Sequence, residues 1–141
     1  MSLYCFVYTS LSNEKMSDDN LKSFLKIIRA KNETRQVTGM LLYLDPFFVQ
    51  ALEGEEAVVD ELFNIIKKDS RHHKVSLIYK KPIEERHFPD WTMGFSKISY
   101  KDIGTIDGFS DFLQSPTANF FSRSHHEVDE LLYKFKYEIL F

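Results

Sequence analysis

The first strand-like segment restricts the fold more than any other feature of the sequence. In residues 3–9 both alternating faces are apolar or aromatic, with Leu3, Cys5 and Val7 on one face and Tyr4, Phe6 and Tyr8 on the other. A strand of this kind is covered on both sides, because burial removes each apolar face from water. The segment therefore predicts a central strand with a packed layer on each side of the sheet.

Helical and strand patterns alternate after this segment. Ser17 can cap a helix that ends near Asn32. Residues 37–44 and 47–52 predict two strands, and the Asp-Pro pair at 45–46 predicts a tight hairpin between them. The apolar stripe expected on the helix is Leu21, Phe24, Leu25 and Ile28.

A second helix and two more strands complete the pattern. Gly54 marks a break after the third predicted strand, and the helix that follows ends around Asp69. Residues 75–79 predict a fourth strand and residues 93–98 a fifth. The order is βαββαβ plus one strand, which predicts an α+β, ferredoxin-like fold with two helices on one face of a mixed sheet. The apolar stripe of the second helix is Val58, Val59, Leu62, Phe63 and Ile66.

The C-terminal part of the chain has a different pattern. Residues 104–113 are at most a weak helix, and the Ser-Pro-Thr run at 115–117 is a break. Ser124 and Glu127 have the spacing of a capping box, which opens a further helix. We therefore predict one domain in residues 1–100 and a C-terminal helical extension in residues 101–141 that packs on it. The stripe of the last helix is Val128, Leu131, Leu132, Phe135 and Ile139.

Charge and cysteine content narrow the possible partners. The formal net charge is −3 and no long basic stripe is present, so nucleic acid is not an expected partner. No apolar run approaches the ~20 residues that span a bilayer, and the N-terminus lacks the pattern of a secretory signal. The single cysteine, Cys5, excludes an internal disulfide and fits a reducing compartment. The predicted location is the cytoplasm, with no membrane partner.

Gln50 is the residue that fits a plain core least well. It lies in a strand that otherwise reads as buried on both faces, and a buried primary amide needs hydrogen-bond partners. An amide bonded to the backbone at a strand end would be the simplest explanation. The amide also offers donors and an acceptor whose positions exchange when the group flips.

Two further polar residues, Tyr8 and Asn32, have simple explanations when taken alone. Tyr8 is then a core residue whose hydroxyl reaches a carbonyl, and Asn32 is a helix C-cap or a turn residue. In a ferredoxin-like sheet the first and third strands are neighbours. Tyr8 and Gln50 are therefore expected to meet under the first helix.

The segment after the second helix, Arg71-His72-His73, has two interpretations. It is either a solvated cationic turn near a helix C-terminus or a site where Arg71 pairs with a phosphate. No third ligand has metal-binding spacing with the two histidines, so no metal site is expected. The chain also lacks a Walker loop, G-x-G-x-x-G, G-x-S-x-G and H-E-x-x-H, which argues against an enzyme.

Over roughly its first hundred residues the chain resembles the BLUF family, the blue-light sensors that use FAD. The matching segments occur in the expected order and at the expected separations, and any one of them alone would be a weak signal. They are residues 3–10, Asn32, and residues 37–43, 48–54, 69–73 and 86–95.

This resemblance implies roles for individual residues. Tyr8 and Gln50 match the photoactive pair, and Asn32 matches the residue that holds the carbonyl edge of the flavin ring. Trp91 and Met93 match the switching segment. Their spacing allows either of the two to lie beside Gln50. Light is then expected to reverse the hydrogen bonds of the Gln50 amide and to shift flavin absorption slightly to the red. The other positions implied to line the ring or the polar tail of FAD are Asp69, Arg71 and His72.

Two departures from the family pattern are expected to loosen contacts with the cofactor. Lys31 stands where many members have Asn, and Ile65 stands where some members have a basic residue. The resemblance also implies a homo-oligomer that acts on a separate downstream signalling protein, and the C-terminal helix is the expected output surface.

Two other functions stay open from the sequence alone. One is an acylphosphatase-type hydrolase of ferredoxin-like fold, with Arg71 and Asn32 as phosphate-binding groups. That family's glycine-containing phosphate loop is not present in its usual form. The other is a ligand-binding module that keeps the scaffold without photoactivity.

Overall fold

The computed structural model describes residues 2–89, 93–103 and 125–135. The predictions for Trp91, for a weak helix at 104–113 and for a break at 115–117 fall outside these residues. The strands are β1 (Leu3–Ser12), β2 (Thr38–Leu44), β3 (Phe47–Glu55), β4 (His72–Pro82) and β5 (Gly94–Lys97). The helices of the described ranges are α1 (Asp18–Arg35), α2 (Glu56–Lys67), α3 (Tyr100–Ile103) and α4 (His125–Phe135). None of these helices is both long and apolar enough to cross a membrane.

The strands form one five-stranded sheet in the order β4-β1-β3-β2-β5. Neighbouring strands are antiparallel except β2 and β5, which run parallel, so the sheet is mixed. This is the ferredoxin-like order with a fifth strand added beside β2, and it confirms the predicted fold class. β1 lies between β4 and β3, inside the sheet, as its two apolar faces predict.

Each face of the sheet carries its own hydrophobic core. On one face, α1 and α2 pack on side chains of β1 such as Phe6 and Tyr8. On the opposite face, α3 and α4 pack on the alternate side chains of β1, Cys5 and Val7. The buried positions of α4 belong to its predicted stripe and are Val128, Leu131 and Leu132.

The first helix begins at its predicted cap and continues three residues beyond its predicted end. The hydroxyl of Ser17 accepts a hydrogen bond from the N–H of Asn20 at 3.1 Å. At the other end Gln36 adopts a left-handed φ of 55°, and its N–H donates to the carbonyl groups of Asn32 and Glu33. Asn32 therefore lies in the last turn of the helix, not at its cap, and its side chain is buried.

Two strands are longer than their local patterns predict. β3 continues through Gly54 to Glu55 because these residues pair with Tyr4 and Leu3 of β1. β4 already begins at His72, which pairs with Ser12 of β1, so the solvated turn considered for this stretch is wrong for His72. Both extensions depend on pairing with a strand about fifty or more residues away in sequence, and a local pattern does not contain that information.

A buried carboxylate anchors the connection that leads from β4 towards β5. Glu53 has no solvent-exposed surface, and its oxygens accept hydrogen bonds from the backbone N–H groups of His87 and Phe88 at 2.9 and 2.8 Å. Arg86 donates to the backbone carbonyl of Glu53 at 2.8 Å. A buried charge is tolerated when its hydrogen bonds are made in this way. The anchor therefore holds the chain shortly before Met93, which belongs to the site described next.

Candidate functional site

A cavity lies on the helical face of the sheet, between α1 and α2. The space between the two helices, counted together with its opening to solvent, amounts to about 570 Å³. Its walls are largely apolar, and a few polar side chains reach into it. The apolar wall includes Phe24, Ile28, Leu41, Phe48, Leu62 and Ile66.

Tyr8 and Gln50 meet at the floor of this cavity, as the predicted topology requires. They are directly opposite each other in the antiparallel register of β1 and β3, so their side chains leave the same face of the sheet. Both are buried, and both line the cavity. The Tyr8 ring also packs on Phe63 of α2, with 5.1 Å between the ring centroids.

The hydroxyl of Tyr8 is held in its protonated form. Burial raises the pKa of this phenol well above its usual value, and the negative charge of Asp69 raises it further. Tyr8 is therefore neutral across the physiological pH range, with a proton available on its hydroxyl oxygen.

The amide of Gln50 is linked to Met93, directly before β5. Gln50 Nε2 donates to Met93 Sδ at 3.5 Å, and the Met93 side chain is buried. The backbone carbonyl of Met93 in turn accepts from Arg29 Nε of α1 at 2.8 Å. Of the two residues expected beside Gln50, Met93 occupies that place, and Trp91 lies outside the described residues. The contact joins the cavity floor to β5 and to α1.

Asn32 adds a second primary amide to the cavity. It projects from the last turn of α1, is buried, and lines the same cavity as Gln50. Each primary amide offers both N–H donors and a carbonyl acceptor. Two such groups in an apolar cavity suit a flat heterocycle that has carbonyl and N–H groups along one edge and apolar faces.

Asp69 and Arg71 form an ion pair at the rim of the cavity. The backbone N–H and Nε of Arg71 both donate to Asp69 Oδ1 at 2.9 Å, and Arg71 Nη2 pairs with Asp69 Oδ2. These bonds lower the pKa of Asp69 to about 2, so its carboxylate is charged at neutral pH. The Arg71 guanidinium also lies 4.4 Å from the centroid of the Phe24 ring. The two side chains thus hold each other in place.

His72 connects the cavity wall to the sheet. Its Nε2 donates to the backbone carbonyl of Ile66 at 2.7 Å, and its Nδ1 lies 2.8 Å from the hydroxyl of Ser10. Ser10 is buried on β1 and lines the cavity together with His72.

The structure brings six of the predicted site residues to one cavity: Tyr8, Asn32, Gln50, Asp69, Arg71 and His72. Two polar residues of the site were not predicted: Ser10, which lines the cavity, and Arg29, which donates to the Met93 carbonyl. Ser10 is a polar residue at the end of an apolar strand, which is a signal that could have identified it. Arg29 gives no such signal, because it is one of several cations on its helix.

A ferredoxin-like sheet with this cavity under its two helices defines a small α+β domain with a candidate site for a flat ligand. Comparison with known proteins makes the class more specific. Residues 3–94 match the sequence model of the BLUF family, described as sensors of blue light using FAD. This match spans about two thirds of the chain, and the chain belongs to this family.

Relatives and solved structures agree with this assignment. Photoactivated adenylate cyclase subunit alpha of Euglena gracilis is 32% identical over 120 residues, which are 85% of this chain and 12% of that protein. The chain thus spans about an eighth of the length of that curated relative. The ground state of BlsA superimposes with a TM-score of 0.75 at 29% identity, over 95% of this chain and 87% of BlsA. The dark state of BlrB, a BLUF protein, gives 0.66 at 27% identity, over 87% and 97%.

The family membership confirms the predicted sensor class and the predicted cofactor. The domain is a sensor that binds FAD, and the acylphosphatase-type hydrolase considered from the sequence is not supported. The residues present fit a flavin, because the ring combines apolar faces with carbonyl and N–H groups at one edge. Asn32 and Gln50 supply matching amides, and the apolar wall supplies surfaces for the faces.

Proposed function

We propose that this domain detects blue light by switching the hydrogen bonds that Tyr8 and Gln50 make with bound FAD. The observation that carries the proposal is their position. Both side chains are buried at the floor of the cavity, opposite each other, and Gln50 is already bonded to Met93. A change at the cavity floor after light absorption can therefore reach β5 through the Gln50 amide.

The remaining site residues are proposed to hold the cofactor. Asn32 hydrogen-bonds the polar edge of the ring, since its buried amide lines the cavity. Asp69, Arg71 and His72 bound the cavity on its β4 side, where they are fixed by the contacts described above. FAD, when bound, supplies the absorption of blue light and an excited state that accepts an electron.

The chemistry of the protein side chains makes a reversible switch. Tyr8 is protonated, so it can give up an electron together with its hydroxyl proton and later recover both. The Gln50 amide, beside it, can relay the proton and end with its N–H and carbonyl ends exchanged. A thioether accepts hydrogen bonds but has none to donate. The exchanged amide would therefore lose its bond to Met93 Sδ.

Output is proposed to pass from Met93 to the opposite face of the sheet, with α4 as the contact surface. The support is that α4 belongs to that core, which also suits the proposed division into a domain (residues 1–100) and a packed extension (residues 101–141). A homo-oligomer that binds a separate signalling protein remains the expected assembly. Size-exclusion chromatography in darkness and under blue light tests this, and an unchanged monomer would contradict it.

An absorption spectrum before and after a blue flash tests the switch itself. We expect a structured flavin band that shifts slightly to the red and recovers thermally in darkness. The shift follows from altered hydrogen bonds to the flavin edge while the flavin returns to its original oxidation state. A flavin band that bleaches or does not respond would contradict the switch while leaving FAD binding intact.

A further inference from the structure

The open end of the cavity carries a cation that the proposed switch does not use. Lys31 lies on α1, is exposed, and lines the cavity together with Ile27 and Ile65. The two isoleucines are 45% and 40% exposed, so this end of the cavity opens to solvent. The photoactive residues, in contrast, are buried at its floor. A ligand whose ring reaches Gln50 would leave its hydrophilic part at an open end.

The two cations that line the cavity differ in how their charge is balanced. Arg71 is bonded through three nitrogen atoms to the carboxylate of Asp69, so its charge is largely compensated locally. Lys31 has no ion pair with any residue in the described ranges. An anionic group near Arg71 would also approach the negative charge of Asp69. Lys31 is therefore the more favourable position for an anion.

We propose that Lys31 binds the diphosphate of FAD and so makes the domain prefer FAD to riboflavin. The ammonium group acts on phosphate as a flexible point charge, which suits an exposed site. The net charge of the whole chain is −3, so attraction of an anionic tail has to come from a local cation such as Lys31. Lys31 in place of the family's Asn, which was expected to loosen contacts with the cofactor, would then strengthen the contacts with its phosphate tail. This inference rests on the binding of FAD in the cavity.

Titration of the flavin-free, full-length chain with riboflavin, FMN and FAD separates tail from ring contacts. Binding is followed by the change in flavin fluorescence. Lys31→Gln is expected to weaken FAD and FMN binding roughly three- to fivefold, the size of one exposed ion pair, and to leave riboflavin affinity unchanged. Lys31→Arg should retain the wild-type preference, and raising the salt concentration should reduce it. Lys26→Gln is the matched control, because Lys26 is an exposed lysine of the same helix that is not part of the cavity wall.

The outcomes distinguish this inference from the proposed function. Equal weakening of all three flavins by Lys31→Gln would overturn the phosphate contact, because the lost interaction would then be with the ring. An effect of Lys26→Gln as large as that of Lys31→Gln would overturn it too, because the cause would be general charge. If the wild-type chain bound none of the three flavins, the proposed photoswitch would fail together with this inference.

Discussion

The Tyr8→Phe variant is expected to bind FAD and to show no red shift after a blue flash. The substitution removes a single oxygen atom and keeps a ring that packs on Phe63. The fold and the cavity should therefore persist. Phenylalanine has no dissociable proton and is much harder to oxidise, so the electron and proton that start the switch are no longer available. We expect loss of the whole shift, not a reduced amplitude.

Difference spectra of the purified variant, with flavin content measured from the dark spectrum, test this expectation. Tyr133→Phe is the control, because Tyr133 lies on α4 and is 56% exposed, so the same atom is removed far from the cavity. It should retain the full shift. Gln50→Leu should abolish the shift as well, because leucine can neither relay the proton nor exchange hydrogen bonds. A Tyr8→Phe protein with a normal shift would show that the tyrosine hydroxyl is not part of the switch.

The proximity of Tyr8 and Gln50 could be predicted because the strand order places their two strands side by side. The βαββαβ order places the first and third strands side by side, and the register of β1 and β3 then sets the two residues opposite each other. Burial of both side chains follows from the apolar residues that surround them in sequence. The fold and the residues of the cavity floor could be predicted from the sequence, because the order of the strands and the alternation of side chains along them determine both.

The side-chain contacts that connect the cavity to the surrounding elements could not be predicted in the same way. The choice of Met93 as the neighbour of Gln50, and the bond from Arg29 to the Met93 carbonyl, depend on the path of the chain between β4 and β5. The ion pair of Asp69 with Arg71 depends on side-chain rotamers in a short connection. Three-dimensional packing determines such contacts. A sequence pattern does not predict them, because one pattern is compatible with many local arrangements.

The sheet beneath the cavity should tolerate almost no side chain at Gly39 of β2. A Cβ atom at this position would lie 2.0 Å from the backbone oxygen of Ala51 and 3.0 Å from its carbonyl carbon. Backbone in a paired strand cannot move aside as a flexible side chain can, so relief requires separation of β2 from β3. Leu41, two residues later, pairs with Gln50. The damage would therefore reach the floor of the cavity.

We expect Gly39→Ala to lower the free energy of unfolding by about 3 kcal/mol or more, at or above the upper end for overpacked sites, and to lower the amount of bound flavin. Gly54→Ala is the matched control. Its Cβ would meet side-chain methyl groups of Val59 and Val37 at 3.1 and 3.3 Å, which can shift by a few tenths of an ångström. Its cost should stay within about 1 kcal/mol.

Urea unfolding followed by far-ultraviolet circular dichroism measures both midpoints. Equal midpoints for the two variants would mean that β2 and β3 can separate at Gly39 without loss of the fold, and the cavity floor would then be less rigid than this register implies.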